Sequence, residues 1–97
     1  MNDNAAYVIG HITVKKPEKW AEYRSKVPAT LAPWGAEHVF RGKKVEVFSG
    51  IHEYIDTVAI RFPNPAAAKN WYKSSAYQAL IPLREQAADM VLVCYST

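Results

Sequence analysis

Hydrophobic and polar residues alternate near the start of the chain, from Tyr7 to Val14. Alternation with a period of two, among β-branched residues, predicts a β-strand. One face of this strand carries only apolar residues and glycine, whereas the other face is mixed and includes His11. We therefore expect the apolar face to meet helices and the mixed face to point away from them.

The hydrophobic spacing then changes to that of an amphipathic helix. Trp20, Tyr23 and Leu31 fall on one helical face. Pro17 suits the first turn of this helix, where a missing N–H costs nothing. Pro28 lies inside the pattern and is expected to kink the helix.

The middle of the chain shows strand patterns. Residues 36–40 and 44–49 are predicted to pair as a hairpin, with Arg41-Gly42-Lys43 as its turn. Residues 54–62 are predicted to form a further strand.

Two helices and a last strand complete the predicted order. Asn64 is a good N-cap for a helix that runs to about Lys73. A second helix is expected from about Ser75, with a bend near Pro82, and a short apolar strand over residues 90–95. The predicted order is β-α-β-β-β-α-α-β. Without one hairpin strand it becomes β-α-β-β-α-β, which is the ferredoxin-like pattern.

Size and charge narrow the function classes. The chain has 97 residues, which predicts one domain over residues 1–97. The net charge is +3, and lysine and arginine are spread along the chain, so nucleic-acid binding is not expected. No signal-peptide core or membrane-length apolar run occurs, so a cytoplasmic protein without a membrane partner is expected. The single cysteine, Cys94, lies in an apolar run and is expected to be buried.

Short motifs follow one another in a definite order between residues 7 and 95. They are Glu22-Tyr23-Arg24, Val27-Pro28-Ala29-Thr30-Leu31, Gly35, Arg41-Gly42, Val45-Glu46-Val47, Gly50, Phe62-Pro63, Ala68, Trp71-Tyr72, Ser74, Tyr77-Gln78, Leu80, Leu83-Arg84 and Ala87-Ala88. This combination resembles the domain-of-unknown-function family 1330, in the dimeric α/β-barrel superfamily. The resemblance implies a ferredoxin-like α+β sandwich, here with an extra hairpin strand, whose sheet pairs with that of a second copy to form a barrel.

The resemblance leaves the reaction open. The superfamily includes cofactor-free monooxygenases, lactone isomerases, haem enzymes and stress-response binding domains, so its fold selects no function. Two positions also depart from the family pattern. Lys16 replaces a frequent aspartate before the first helix and cannot accept the capping hydrogen bonds. Arg61 replaces a frequent glutamate, so a mechanism that uses that carboxylate would not transfer.

Aromatic residues with polar tips are the candidate ligand-binding residues. Tyr72 and Tyr77 can wall a pocket for a flat organic molecule or pack in the core, whereas Trp71 is expected in the core. Arg84 lies seven residues after Tyr77, close to two helical turns, and can clamp a carboxylate or pair with an acidic neighbour. With Tyr23 on the first helix, Tyr72, Tyr77 and Arg84 are the predicted substrate-binding residues.

Two residues are candidates for acid or base catalysis. His11 is expected to face the barrel interior, as a base or as a polar residue that lines the dimer contact. Glu46 is expected on the second hairpin strand, as a base or paired with Arg41 or Lys44. The chain's three histidines lie far apart in the sequence, so neither metal nor haem is expected. No motif for a nucleotide cofactor occurs, and no cofactor is expected.

These observations favour a homodimeric domain that binds a small organic molecule, aromatic or acidic, in a cleft between the sheet and the late helices. The first alternative is a cofactor-independent monooxygenase or isomerase that uses His11, Tyr72 or Arg84. The second alternative is a structural dimer without a ligand.

Overall fold

Four antiparallel strands form one sheet, and the helices pack on one face of it. The computed structural model describes residues 4–97. In chain order the elements are β1 (Ala6–Val14), α1 (Pro17–Leu31), a short 3-10 turn (Ala32–Trp34), β2 (Glu37–Lys43), β3 (Asp56–Phe62), α2 (Pro65–Lys73), α3 (Ser75–Gln78), α4 (Ile81–Ala87) and β4 (Ala88–Ser96). The sheet order is β2-β3-β1-β4. With α2 to α4 taken as one helical segment, this is the predicted ferredoxin-like βαββαβ arrangement.

The two faces of β1 differ as its sequence pattern predicts. Val8 and Ile12 are buried, whereas Ile9 and His11, on the opposite face, are half-buried. Gly10 lies on the buried face, between Val58 of β3 and Leu92 of β4. A Cβ at Gly10 would lie 3.0 Å from Cγ1 of Val58, so glycine permits the close packing of these three strands.

The helix starts follow their capping residues. The side chain of Asn64 accepts a hydrogen bond of 2.8 Å from the backbone N–H of Ala67, as an N-cap should. Lys16 provides no such bond at the start of α1. Its own backbone N–H and that of Lys15 instead donate to the carbonyl of Ala87, which ties the start of α1 to the end of α4. The helix continues through Pro28 and ends at Leu31.

The core is aromatic at its centre. Trp71, Tyr77, Phe62 and Ile12 are the largest fully buried side chains. The indole N–H of Trp71 donates to Oγ1 of Thr30 over 3.0 Å, and Thr30 donates to the carbonyl of Val27. The placement of Trp71 in the core is confirmed.

The predicted hairpin is wrong. Residues 41–43, expected as its turn, continue β2 and pair with β3, so β2 runs seven residues to Lys43. Residues 44–55 form no strand, and the extra hairpin strand is absent from the described chain. The physical reason lies in the exposed apolar residues of this segment, hereafter the 44–55 loop. Val45, Phe48 and Ile51 are 98%, 93% and 91% exposed, so nothing within the chain packs against their strand-like pattern.

No helix within residues 4–97 combines the length and apolar character that a membrane crossing requires.

Candidate functional site

Two tyrosines and an arginine form a polar network within the core. The hydroxyls of Tyr23 and Tyr77 lie 2.7 Å apart in a buried hydrogen bond. Nη1 of Arg84 donates to the hydroxyl of Tyr77 over 3.1 Å. Three separate helices, α1, α3 and α4, contribute one residue each. Tyr77 and Arg84 meet across a break between α3 and α4 at Ala79 and Leu80, whereas a bend near Pro82 was expected; Pro82 lies in the first turn of α4.

Local capping fixes the position of Tyr77. The hydroxyl of Ser74 accepts a hydrogen bond from the backbone N–H of Tyr77 and donates to the carbonyl of Trp71. Ser74 thus ends α2 and starts α3 within one residue. The Tyr77 ring then packs against Trp71, with ring centroids 4.3 Å apart. Tyr77 has no exposed surface, so it supports the network and does not reach solvent.

The surroundings shift the ionisation of this network. Burial raises the pKa of Tyr23 above its ordinary value, and the neighbouring Tyr77 raises it further. Burial, the largest single influence, would lower the pKa of Arg84, but the hydrogen bond to Tyr77 and the smaller effects of Tyr77, Tyr23 and Tyr72 together outweigh it, and the pKa is raised. These shifts favour the neutral phenol of Tyr23 and the charged guanidinium of Arg84.

A cavity of about 350 Å³ opens beside Arg84, between α2 and β4. We call it the Arg84 cavity. Its charged lining residues are Lys69, Lys73 and Arg84, and among residues 4–97 no carboxylate lines it. Its walls are formed by Tyr72, Trp71, Ala68, Val8, Met90, Leu92, Val93 and Cys94. This hollow is cationic at its polar points and largely apolar elsewhere.

The structure places the predicted substrate-binding residues in different parts of the molecule. Tyr72 and Arg84 line the Arg84 cavity, as expected for a cleft between the sheet and the late helices. Tyr77 lies behind them in the core, and Tyr23 lines a different cavity. Cys94 was expected to be buried, and this is wrong, because its side chain is exposed along the wall of the Arg84 cavity.

That second cavity, of about 370 Å³, lies between α1 and the sheet. We call it the Arg41 cavity. Arg24, Arg41 and His38 are its charged or titratable lining residues besides Tyr23. Its remaining walls are Trp20, Val27, Pro28, Leu31, Ala32, Ala36, Val58, Ile60, Trp71, Met90 and Leu92. Trp71, Met90 and Leu92 are common to both cavities and separate them.

The two candidate catalytic residues lie elsewhere. His11 is on the face of β1 opposite the helices, so the sheet separates it from the tyrosine network. Glu46 was expected on a strand, and this is wrong, because it lies exposed in the 44–55 loop. Among the described ion pairs none involves Glu46.

The structure brings His11 close to a residue that the sequence pattern did not link to it. The ring centroids of His11 and His52 lie 4.9 Å apart, with Tyr54 nearby. Oγ1 of Thr57 lies 3.4 Å from Nδ1 of His11. The histidines are therefore not all far apart in space. Within residues 4–97, no group of three or more His, Cys, Asp or Glu side chains is arranged to hold a metal ion.

A family model matches almost the whole chain. The model described as Domain of unknown function (DUF1330) matches residues 5–97. The chain belongs to this family. Among curated proteins, none matches the sequence significantly.

Solved structures share this fold at low identity. A protein of unknown function from Rhodopseudomonas palustris superposes with a TM-score of 0.82 at 14% identity, over 99% of this chain and 84% of that one. A dimeric ferredoxin-like protein of unknown function from Jannaschia sp. CCS1 gives 0.73 at 10% identity, over 96% and 99%. SnoaB, a cofactor-independent oxygenase from Streptomyces nogalater, gives 0.68 at 10% identity, over 97% and 93%. At such identities the likeness establishes the fold of this DUF1330 member alone.

Proposed function

We propose that the protein is a homodimer that binds a small acidic organic molecule in the Arg84 cavity. The charge of the lining carries this proposal: two lysines and an arginine, with no carboxylate from the described part of the chain, surround an otherwise largely apolar hollow. Ligand sites in proteins are typically apolar concavities with a few polar groups that fix orientation. An anionic group would be attracted by all three cations, and an apolar or aromatic body would contact the walls.

Arg84 is suited to receive a carboxylate. Its side chain is only 12% exposed, so an ion pair there is screened less than one at the surface. One nitrogen is bound to Tyr77, and the other lies 3.8 Å from Glu85, whose side chain is 70% exposed. Guanidinium groups carry five N–H donors, so donors remain for a ligand. The contact with Glu85 is long and solvated, and a ligand carboxylate can replace it.

The aromatic lining favours a flat ligand. Trp71 and Tyr72 wall the cavity, and Tyr72 is partly exposed, at 39%. Aromatic faces at a cavity wall contact planar ligands over a large area at low entropic cost. Aromatic carboxylates combine a planar body with an anionic end, so they are the class we propose.

Exposed apolar surface supports the homodimer. Phe40, Val91 and Tyr95 on the sheet face away from the helices are each at least 40% exposed, and the 44–55 loop adds further exposed apolar side chains. A sheet with helices on one face and apolar residues on the other requires cover. The dimeric neighbour from Jannaschia has the same fold. A second copy of the chain would supply the cover and make the barrel that the family resemblance implies.

The test measures binding of aromatic carboxylates such as benzoate, salicylate and 2-naphthoate by calorimetry. Arg84→Lys retains the charge but loses the planar fork, so affinity should fall about tenfold. Arg61→Lys is the matched control, because Arg61 is an exposed arginine that does not line the cavity. It should leave affinity unchanged.

The melting temperature separates a ligand-binding role from a structural one. A lysine can still donate to Tyr77, so the melting temperature of the Arg84→Lys variant should stay close to that of the parent. Loss of stability without binding of any carboxylate to the parent protein would show that Arg84 is structural, and the proposal would then be abandoned.

The oxygenase alternative has weaker support. SnoaB shares the fold at 10% identity, which carries no information on the reaction. His11, the proposed base, lies across the sheet from the Arg84 cavity. Binding therefore remains our primary proposal.

A further inference from the structure

We propose that the Arg41 cavity is a second, separate binding site, which takes an amphipathic carboxylate: an unbranched apolar chain that ends in one anionic group. The apolar chain would lie between α1 and the sheet. The carboxylate would lie at the rim, between Arg24 of α1 and Arg41 of β2.

The interior of the cavity is suited to an apolar body. Its aliphatic lining comes mainly from α1 and from the two strands β3 and β4, for example Leu31, Ile60 and Leu92. The polar atoms that border it are already paired. The Tyr23 hydroxyl is bonded to Tyr77, and the Trp71 indole N–H is bonded to Thr30. Across residues 4–97, no buried side-chain nitrogen or oxygen lacks a partner. A polar ligand body would therefore find no hydrogen-bond partner inside and would lose its hydration.

The rim carries two like charges side by side. Arg24 and Arg41 line the Arg41 cavity together, and they also share two shallower hollows that adjoin it. Their guanidinium groups are close enough for Arg24 to contribute to the lowering of the Arg41 pKa, after the larger effect of burial. Two cations held at one rim repel each other, and an anion between them would relieve that repulsion.

No internal carboxylate neutralises this pair. In the described part of the chain, the ion pairs involve neither Arg24 nor Arg41. Asp56 is near enough to raise the pKa of Arg41, but its own ion-pair contact, at 3.8 Å, is with Lys43. A carboxylate has two oxygens and can accept from two guanidinium groups at once. The Arg41 cavity also differs from the Arg84 cavity in where its charges lie. Its two arginines are at the rim, and its interior is apolar.

The experiment compares decanoate with decanol, which has the same chain length and no charge. Tryptophan fluorescence and calorimetry report binding, because Trp20 and Trp71 line the cavity. Decanoate is used below the concentration at which it forms micelles. It should bind at least about tenfold more tightly than decanol, and more weakly as salt is raised.

The variants are Arg24→Gln, Arg41→Gln and the double variant. Each single change should weaken decanoate binding about tenfold and leave decanol binding unchanged. Lys19→Gln is the matched control, since it removes one positive charge from α1 at a partly exposed residue that does not line the cavity. Both arginines are exposed, so these changes should not affect folding.

Two outcomes would overturn the proposal. The first is equal affinity for decanoate in the parent and in the double variant, or no binding to the parent. The second is that decanoate binding is lost in the Arg84→Lys variant but retained in the Arg41→Gln variant. That result would place the ligand in the Arg84 cavity, so the present proposal would fail while the proposed function stood. Loss of aromatic carboxylate binding in Arg84→Lys alone, with decanoate unaffected, would confirm that the two sites are separate.

Discussion

The Tyr23 and Tyr77 hydroxyls share a hydrogen bond, so substitutions of the two residues should have strongly non-additive effects on the free energy of unfolding. Tyr77→Phe removes the hydroxyl that Arg84 donates to and leaves the buried hydroxyl of Tyr23 without its partner. An unsatisfied buried polar group costs about 1–3 kcal/mol, so we expect a loss of about 3 kcal/mol in the free energy of unfolding. Tyr23→Phe should cost only about 1 kcal/mol, because the Tyr77 hydroxyl keeps its bond from Arg84.

The double variant tests the reasoning. Once both hydroxyls are absent, no buried hydroxyl is left without a partner. The double variant should therefore cost about 1–2 kcal/mol less than the sum of the single variants. Urea unfolding at one fixed protein concentration measures all three, since the stability of a dimer depends on concentration. Ser75→Ala, which removes an exposed hydroxyl from α3, is the control and should be close to neutral. Additive costs, or a larger cost for Tyr23→Phe than for Tyr77→Phe, would refute the proposed network.

Three further predictions follow from burial and charge. Trp71→Ala should cost about 3–5 kcal/mol in a urea melt, and Trp34→Ala less, because Trp71 is buried and Trp34 only half-buried; the reverse order would contradict the core assignment. The raised pKa of Tyr23 means that the folded state retains its proton to higher pH than the unfolded state does, so the contribution of Tyr23 to stability should be constant below about pH 10 and decline above it. Tyr23→Phe should decline less over the same alkaline melts, and an equal decline would assign the effect to other tyrosines. Phe48→Asp should change the mass measured by light scattering from that of two chains to that of one, whereas Ala29→Asp, at an exposed residue of α1, should not. If the parent protein already has the mass of a single chain, the dimer proposal is wrong.

The fold was largely predictable because its signals are local. Alternation in β1 and the Asn64 cap each depend on residues within a few positions of one another, and the structure confirms both. The hairpin failed for a nonlocal reason. Whether residues 41–43 turn or continue a strand is decided by pairing with β3, about fifteen residues further along the chain.

The candidate site was predictable only in part, for a similar reason. Seven residues separate Tyr77 from Arg84, and that spacing predicts the contact observed between them, although the two residues lie on separate short helices and not on one continuous helix. The bond from Tyr23 to Tyr77 spans 54 positions, and the approach of His11 to His52 depends on how the 44–55 loop returns to the sheet. Neither has a periodic signature in the sequence. The Arg24 and Arg41 pair also joins separate elements, α1 and β2, and becomes visible only in three dimensions.

The error in the hairpin and the expectation of a dimer have one physical origin. The 44–55 loop has apolar residues at strand-like spacing, and that pattern predicts burial of one side. In a single chain, Val45 and Phe48 are almost fully exposed, so the segment has nothing to pack against and forms no strand. The same apolar pattern is expected if a second copy supplies the covering surface, because selection for burial acts on the assembled form. If the proposed dimer forms, the sequence pattern reflects burial in the dimer, and its disagreement with the single chain indicates the surface on which a second copy would bind.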